Sequence, residues 1–317
     1  VDLRVTIVIV TSYAIEYISE CLDSLSQVVD SGLARVIAVD NVSTDGTADL
    51  IKRKYPWVTL IESPFNNGFG AANNLALPYL ETDYCLFFNT DAVLGKGCCE
   101  ELIRFLDGNP DVGCVGPMVL DSQGAETVSH YPFMGLFLSI WTAAGLELIF
   151  PLNKTNNRWE IRRIPPDRAS EVDNVIGAAM MIRREVLDEI GGFDERFFLY
   201  SEEEDLLLRM HKAGWKTYYD PSSSIIHRSG GTQYSVGLTR RAIAAANWSR
   251  YLYLKKHHSR PAAELSRVVW IITLLLRYLA LRLRNRETVQ GKLEGYSASI
   301  KSLLEPGWFD RVLRPKP

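Results

Sequence analysis

Residues 5–14 read VTIVIVTSYA, and the fold turns on how they are understood. A continuous β-branched run from Val5 to Val10 calls for a strand covered on both faces, the habit of a parallel sheet rather than a half-solvated antiparallel one. The polar break that follows contains no glycine. A dinucleotide-binding fold places GxGxxG at this first turn, and a P-loop carries GKS or GKT, which the chain lacks. Hydride transfer and P-loop phosphoryl transfer are set aside on that ground, while an open α/β sheet is retained.

Downstream, Tyr17, Ile18, Cys21, Leu22 and Leu25 recur at helical spacing. ARVIAVD is a second strand ending at Asp40, and DNVSTDGT is a turn with a capping signal before a helix from about Thr47. WVTLIES is a third strand, NNGFGAANN opens a helix, and DYCLFFNTDA is a fourth strand with a polar end. A helix over 100–109 and the strand VGCVGPMVL complete an alternation that implies right-handed βαβ crossovers and a mostly parallel sheet. Residues 121–171, punctuated by Pro132, Pro151, Pro165 and Pro166, read as a long excursion with a helix around 134–148. VDNVIGAAMMIRREVLDEIGGFDE is a strand and then a helix stopped by Gly191–Gly192. A helix over 203–213, a strand at TYYDP, a strand end and loop at SIIHRSGG, and a helix over 238–257 follow.

The 317 residues are 47% apolar and 23% charged, which excludes a mainly disordered, collagenous or coiled-coil chain. Thirty-five basic against 38 acidic residues leave a net charge of −3, so no basic field points to nucleic acid. The charge is uneven: Arg260 to the end carries 11 Lys/Arg against 5 Asp/Glu, a net +6 that leaves −9 on residues 1–259. A basic tail on an acidic body suits an anionic surface such as a membrane leaflet. Five cysteines without a CxxC pair indicate reduced thiols in a cytoplasmic protein rather than a zinc ribbon or disulfide framework. The opening reads as a strand, so no signal peptide is expected. Within the tail, VVWIITLLL (268–276) lies between Arg267 and Arg277. Nine apolar residues rise only ~14 Å as a helix against ~30 Å of hydrocarbon, so the segment should not span. It reads either as an interfacial helix, giving peripheral contact with the inner leaflet of the cytoplasmic membrane, or as a helix packed on the body or on a second subunit, giving a homodimer through the C-terminal helices.

In an open parallel sheet ligands bind beyond the carboxyl ends of the strands. The polar clusters fall there: Thr11–Ser12, Asp40–Asn41, Asn66–Asn67–Gly68, Asn89–Asp91 and His227. Asp40 can accept the imide N–H of a uracil or thymine base, or can cap the turn that follows it. Four acids at 202–205 can supply a general base whose pKa crowding would raise, or can complement a helix dipole. Asp45 reads as a structural turn residue. Trp215 and Phe197–Phe198 read as an acceptor wall or, more commonly for such aromatics, as core.

In order along the chain, VTIVIVTSYAIEYISECLDSL, VDNVSTDGT, NNGFGAANN, FFNTDA, GAAMMIRREV and GGFDERFFLYSEEEDLLLRMHKAGW resemble the inverting family 2 glycosyltransferases, over about residues 5–258. The nearest resemblance is to the bacterial branch that transfers rhamnose from dTDP-rhamnose. It implies the nucleotide-diphospho-sugar transferase (GT-A) fold, a domain over 1–258 with a nucleotide-binding half (1–120) and an acceptor and catalytic half (121–258), and a helical, basic tail over 259–317. By resemblance, Thr11, Ser12, Asp40, Asn67, Gly68, Phe69, Asn73, Asn89 and Asp91 line the nucleotide. Asn89–Thr90–Asp91 matches the DxD position, with Asp91 as ligand to Mg²⁺ or Mn²⁺, and His227 occupies the place of a histidine that reaches the metal or diphosphate. Hard oxygen ligands suit either ion, and histidine ligation would favour Mn²⁺. The base is implied within Glu202–Asp205. The family pattern Glu-Asp-x-Asp puts it at Glu203, where this chain is one methylene longer, with Glu202 and Asp205 as neighbours able to serve. A second departure is Thr11–Ser12–Tyr13 where the family often has TYN. Also by resemblance, Arg250, Lys255 and Lys256 lie on a basic closing helix and meet phosphates or solvent. The implied reaction is transfer of a sugar from a dTDP- or UDP-sugar to a saccharide or lipid-linked saccharide in cell-surface polysaccharide synthesis. A UDP-hexose transferase of the same fold and a catalytically silent sugar-nucleotide-binding or scaffold protein at the membrane are the alternatives.

Overall fold

A computed structural model describes residues 2–145, 167–228, 236–283, 290–305 and 307–313. The chain forms two compact units: Val1–Pro132, Ile164–Glu195 and Glu203–Thr232 in the first, and Phe133–Arg163, Arg196–Glu202 and Gln233–Pro317 in the second. The first opens with β1 (Val5–Thr11), α1 (Ile18–Asp30), β2 (Ala34–Asp40), α2 (Thr47–Lys54), β3 (Val58–Glu62), α3 (Phe69–Asn74) and β4 (Tyr84–Asn89). It continues through β5 (Ala92–Leu94), α4 (Cys98–Gly108), β6 (Val112–Leu120) and β7 (His130–Tyr131). After α5 (Leu136–Ala143), which belongs to the second unit, come β8 (Ser170–Val172), β9 (Asn174–Val175), β10 (Ala179–Arg183), α6 (Arg184–Ile190), α7 (Glu202–Lys212) and β11 (Lys216–His227).

All seven residues of β1 are buried, as the VTIVIVT run requires. Ile7 pairs in parallel with Val36 of β2 on one side and with Leu86 of β4 on the other. Full burial of side chains such as Ile7, Ile9 and Phe88 contributes about 1.5–3 kcal/mol each. The sheet order is β3-β2-β1-β4-β10-β6-β11-β5, so the predicted α/β architecture, a central sheet flanked by helices, is present. The four N-terminal strands are parallel, as is β6 with β11, but β10 runs antiparallel to both β4 and β6. A crossover helix obliges parallel pairing; β10 instead follows the 121–171 excursion, which imposes no such direction. All five cysteines are buried and free, and burial pushes each thiol up.

The pieces TYYDP and SIIH, read separately from the sequence, form the single strand β11, with its register broken between Asp220 and Ser224. Pro221 has no N–H to give to the ladder, and Asp220 turns back to accept from the Ser222 backbone at 3.0 Å and its hydroxyl at 2.7 Å. Beyond the break β11 pairs antiparallel with β5, setting His227 opposite Ala92.

The second unit is helical: α5, α8 (Val236–His257), α9 (Arg260–Arg282), α10 (Gln290–Leu304) and α11 (Trp308–Val312). Of the helix expected over 134–148, the structure gives Leu136–Ala143; residues 146–148 lie outside the described residues. Small residues on α10 let α8 approach closely: a β-carbon on Gly295 would meet Ile243 at 2.6 Å, and Asn247 donates to Ser299 at 3.2 Å. Phe197 and Phe198 are buried, Phe198 edge-on to Phe309, so both are core. Helix α9 crosses α5 where Ser139 and Ser266 share a 2.7 Å hydrogen bond and Trp270 donates to Ser139 at 3.1 Å. Among the described residues no helix is long and apolar enough to cross a membrane.

The β5–β11 junction gives a direct test. Gly95 donates its N–H to the Ser224 carbonyl at 3.0 Å, and a β-carbon at Gly95 would fall on that same oxygen. Gly95→Ala must part the two strands and is expected to cost about 1–3 kcal/mol, read as a lower urea midpoint; an unchanged midpoint would show that the junction yields freely.

Candidate active site

The parallel strands end in a row of polar groups. Thr11, at the end of β1, donates its hydroxyl to Asp40 Oδ1 at 2.8 Å, and the Ser43 N–H donates to Asp40 Oδ2 at 3.0 Å. Asp40, 4% exposed, therefore does cap its turn, yet a carboxylate has about four lone-pair sites and both oxygens keep capacity to accept again. The two loops are knit by side chains: Tyr13 N–H to Ser43 Oγ at 3.1 Å, Ala14 N–H to Thr47 Oγ1 at 3.2 Å, and Ile15 N–H to Asp45 Oδ2 at 3.1 Å. Burial would raise the Asp45 carboxyl, but hydrogen bonds from Thr47 and Ile15 outweigh it and hold it below the usual range. Its role is to fasten the loops, as its turn motif suggested. Ser12, beside them, is partly exposed.

The NNGFGAANN segment closes the other side. Gly68 takes a φ of 95°, a value that favours glycine, and its N–H donates to Asn66 Oδ1 at 3.0 Å. Asn41 donates to Asn66 Oδ1 at 3.1 Å and to the Gly68 carbonyl at 3.3 Å. Asn73, inside α3, donates to the Phe69 carbonyl at 3.0 Å. The buried side-chain oxygens of Asn41 and Asn73 have no hydrogen-bond partner. Asn67 and Phe69 are partly exposed on the same turn. Asn41, named in the sequence with Asp40 as a strand-end polar cluster but given no role by the resemblance, joins this turn through its side chain.

At the end of β4 the chain turns through Asn89–Thr90–Asp91 into β5. Because β5 pairs with the end of β11, Asp91 comes to rest beside His227, with Oδ1 and Nε2 3.2 Å apart and both side chains about nine-tenths buried. The Arg228 N–H closes the arrangement by donating to the Asp91 carbonyl at 3.0 Å. Asn89 approaches His227 Nε2 at 3.5 Å, and buried His227 Nδ1 has no partner.

This geometry tests the fit of a divalent cation. Cis ligands on an octahedral ion with bonds of about 2.1 Å lie about 3.0 Å apart, close to the Asp91–His227 separation. A carboxylate and an imidazole suit Mn²⁺ and tolerate Mg²⁺. Among the described residues no third His, Cys, Asp or Glu joins them. That too fits, since such ions in nucleotide sites take one or two protein ligands and complete their shell with phosphate and water.

Of the acids at the start of α7, Asp205 is fully buried and bound to Arg209 at 2.9 Å, while Arg209 also donates to the Ile190 and Gly192 carbonyls. That makes Asp205 part of a structural ion pair. Glu202 is buried and belongs to the second unit. Glu203, partly exposed, accepts from the Tyr131 hydroxyl at 2.9 Å, and its Cγ lies 3.6 Å from where a β-carbon on Gly177 would sit. Ala178, the next residue, accepts the Asn89 N–H at 3.0 Å, so Glu203 stands at the same end of the sheet as Asn89. Burial pushes the Glu203 carboxyl up, and hydrogen bonds from its own backbone and from Tyr131 offset part of that rise. Tyr131 was not legible beforehand: it sits 72 residues away in the punctuated excursion. Trp215 donates its indole N–H to Glu189 at 2.8 Å.

Known glycosyltransferases resemble this chain in sequence and in fold. A relative from Mycobacterium tuberculosis (strain CDC 1551 / Oshkosh), the N-acetylglucosaminyl-diphospho-decaprenol L-rhamnosyltransferase, is 29% identical over 256 residues, covering 77% of this chain and 81% of that protein. The rhamnosyltransferase WbbL of Escherichia coli K12 is 26% identical over 173 residues, 50% of this chain and 60% of that one. Among solved structures, the Pyrobaculum calidifontis mannosyltransferase PcManGT, in complex with GDP-Man and Mn²⁺, shares the fold with a TM-score of 0.55 over 96% of this chain and 87% of that one, at 16% identity. The family model described as glycosyl transferase family 2 matches residues 6–191, more than half of the sequence. The chain belongs to glycosyl transferase family 2 and is a glycosyltransferase.

Proposed function

We propose that this enzyme transfers L-rhamnose, with inversion, from dTDP-rhamnose to a lipid-linked saccharide in the building of a cell-surface polysaccharide. The observation that carries the chemistry is the Asp91–His227 couple at the sheet end, with Glu203 near the same strand ends. The choice of sugar and of a lipid-linked acceptor is supported by similarity along most of the M. tuberculosis relative.

Thr11, Asp40, Asn41 and the Gly68 turn line the nucleotide; the unpaired oxygens of Asn41 and Asn73 give that wall acceptor capacity for the base and ribose. Asp91 and His227 would hold Mn²⁺ or Mg²⁺. When bound, that ion supplies positive charge against the charge that develops on the departing diphosphate. Glu203 acts as general base. The acceptor oxygen forms the new bond to the anomeric carbon, the carbon–oxygen bond to the diphosphate breaks, and the acceptor proton passes to the Glu203 carboxylate. The raised pKa brings this base closer to working pH. Tyr131 fixes the carboxylate's orientation by holding one oxygen.

These assignments make three predictions. dTDP with Mn²⁺ should raise the melting midpoint, since a ligand at a hundred times its Kd adds about 2.7 kcal/mol to the native state. Asp91→Ala should lose the metal-dependent part of that rise, and retention of the full rise would remove Asp91 from the metal site; UDP competing better than dTDP would instead favour a UDP-sugar donor. For Glu203, a raised carboxyl pKa means the native state binds more protons than the unfolded chain, so its ionisation costs stability as pH climbs through the native value. Glu203→Gln is therefore expected to lower kcat by about 10²–10⁴ while its melting midpoint, relative to wild type, improves from acid to neutral pH. Tyr131→Phe should move the acid limb of the kcat/KM profile to higher pH, because a hydrogen bond to the charged form is lost. A limb that stays put would show that Tyr131 does not tune the base.

A further inference from the structure

The outward face of α9 is the least expected surface of the second unit. Its inner face, Ala263, Ser266, Trp270 and Leu274, is buried, as in any packed helix. A solvated helix would then be polar on the opposite side. Here Leu265, Val268, Ile272, Leu276, Leu279 and Leu283 are all exposed, Leu276 to 61% and Leu283 to 88%. Their spacing of three and four residues draws one stripe, which over the 18 residue steps from 265 to 283 runs about 27 Å along the axis.

The charges on the helix say what covers that stripe. Helix α9 carries four arginines, Arg260, Arg267, Arg277 and Arg282, against a single acid, Glu264. Glu264 is already engaged, accepting from Tyr251 at 2.9 Å and paired with Arg267 at 2.7 Å. Arg277 lies with its guanidinium over Trp270 and donates to the Thr142 and Ala143 carbonyls of α5, and exposed Arg282 lies over Tyr278. The sequence continues Arg284 and Arg286, and the stretch from Arg260 onward is net +6. A second copy seated on the same stripe would set one cationic helix against another, because an isologous contact places the same patch on both sides. An apolar stripe poor in acids, with exposed Arg282 at its C-terminal end and Arg284 and Arg286 next in the sequence, is instead complementary to an anionic bilayer, with leucines at the acyl boundary and those guanidinium groups at the headgroups.

We infer that the Leu265–Leu283 face of α9 is a docking surface for anionic lipid, on which the enzyme rests peripherally. The inference stands on α9 and does not need the donor assignment above to hold. Flotation of the full chain with vesicles of 30% phosphatidylglycerol in phosphatidylcholine tests it. The wild type should float with these vesicles, at least tenfold less with pure phosphatidylcholine, and progressively less as salt rises. The double variant Leu276→Glu/Leu279→Glu should lose flotation at least tenfold while keeping its circular dichroism and its melting rise with dTDP and Mn²⁺. Arg282→Glu, which leaves the stripe intact, should weaken binding more at low salt than at high salt. Absence of wild-type flotation, or flotation undiminished in both variants, would overturn the proposal. So would a wild-type dimer in sedimentation velocity that the double variant dissolves while vesicle binding is unchanged, because the stripe would then belong to a second copy.

Discussion

A carboxylate and an imidazole held 3.2 Å apart present two electron-rich atoms to nearly the same point, and they rest together only with a proton or a cation between them. The sheet enforces this meeting. Strand β11 must first absorb Pro221 and shift its register, then run antiparallel along β5, so that His227 lies opposite Ala92 and next to Asp91. With both side chains about nine-tenths buried, water screens the pair weakly, so a cation placed between them would be held strongly.

Backbone strain marks the tips of β1 and β2 and the approach to α7. Among the described residues, the non-glycine positions with left-handed φ are Tyr13, Val42, Tyr200 and Ser201. Tyr13 and Val42 follow the tips of β1 and β2, and Tyr200 and Ser201 immediately precede α7 with its acids. A β-branched residue such as Val42 pays most for this conformation. Costs of order 1–3 kcal/mol per residue persist only where surrounding contacts overdetermine the backbone, and the Ser43, Asp45 and Thr47 hydrogen bonds do so for the first two. Those bonds hold the two loops in one shape.

Strands β1, β2 and β4 were legible in the sequence because each apolar run is buried on both faces and each ends in a polar cluster, two signals that reinforce one another. The order of β10 was not, since strand direction after a long excursion is set by packing and leaves no periodic trace. Asp40 shows how a local and a functional reading can both hold: it caps its turn and still keeps room to accept. The acids of α7 looked alike as letters. Structure separates them: Asp205 pairs with Arg209 one helical turn on, which also reaches the carbonyls of 190 and 192, while Tyr131 reaches across from another strand for Glu203. The second pairing depends on tertiary proximity, which no spacing rule encodes.

The central claim is that Asp91 and His227 together grip the ion that faces the diphosphate. Diffraction from crystals grown with dTDP and Mn²⁺, collected at the manganese absorption edge, tests it most directly. The account predicts an anomalous peak within roughly 2.5 Å of both Asp91 Oδ1 and His227 Nε2 and in contact with a diphosphate oxygen. A peak bound elsewhere, or a diphosphate ordered far from Asp91, would contradict it.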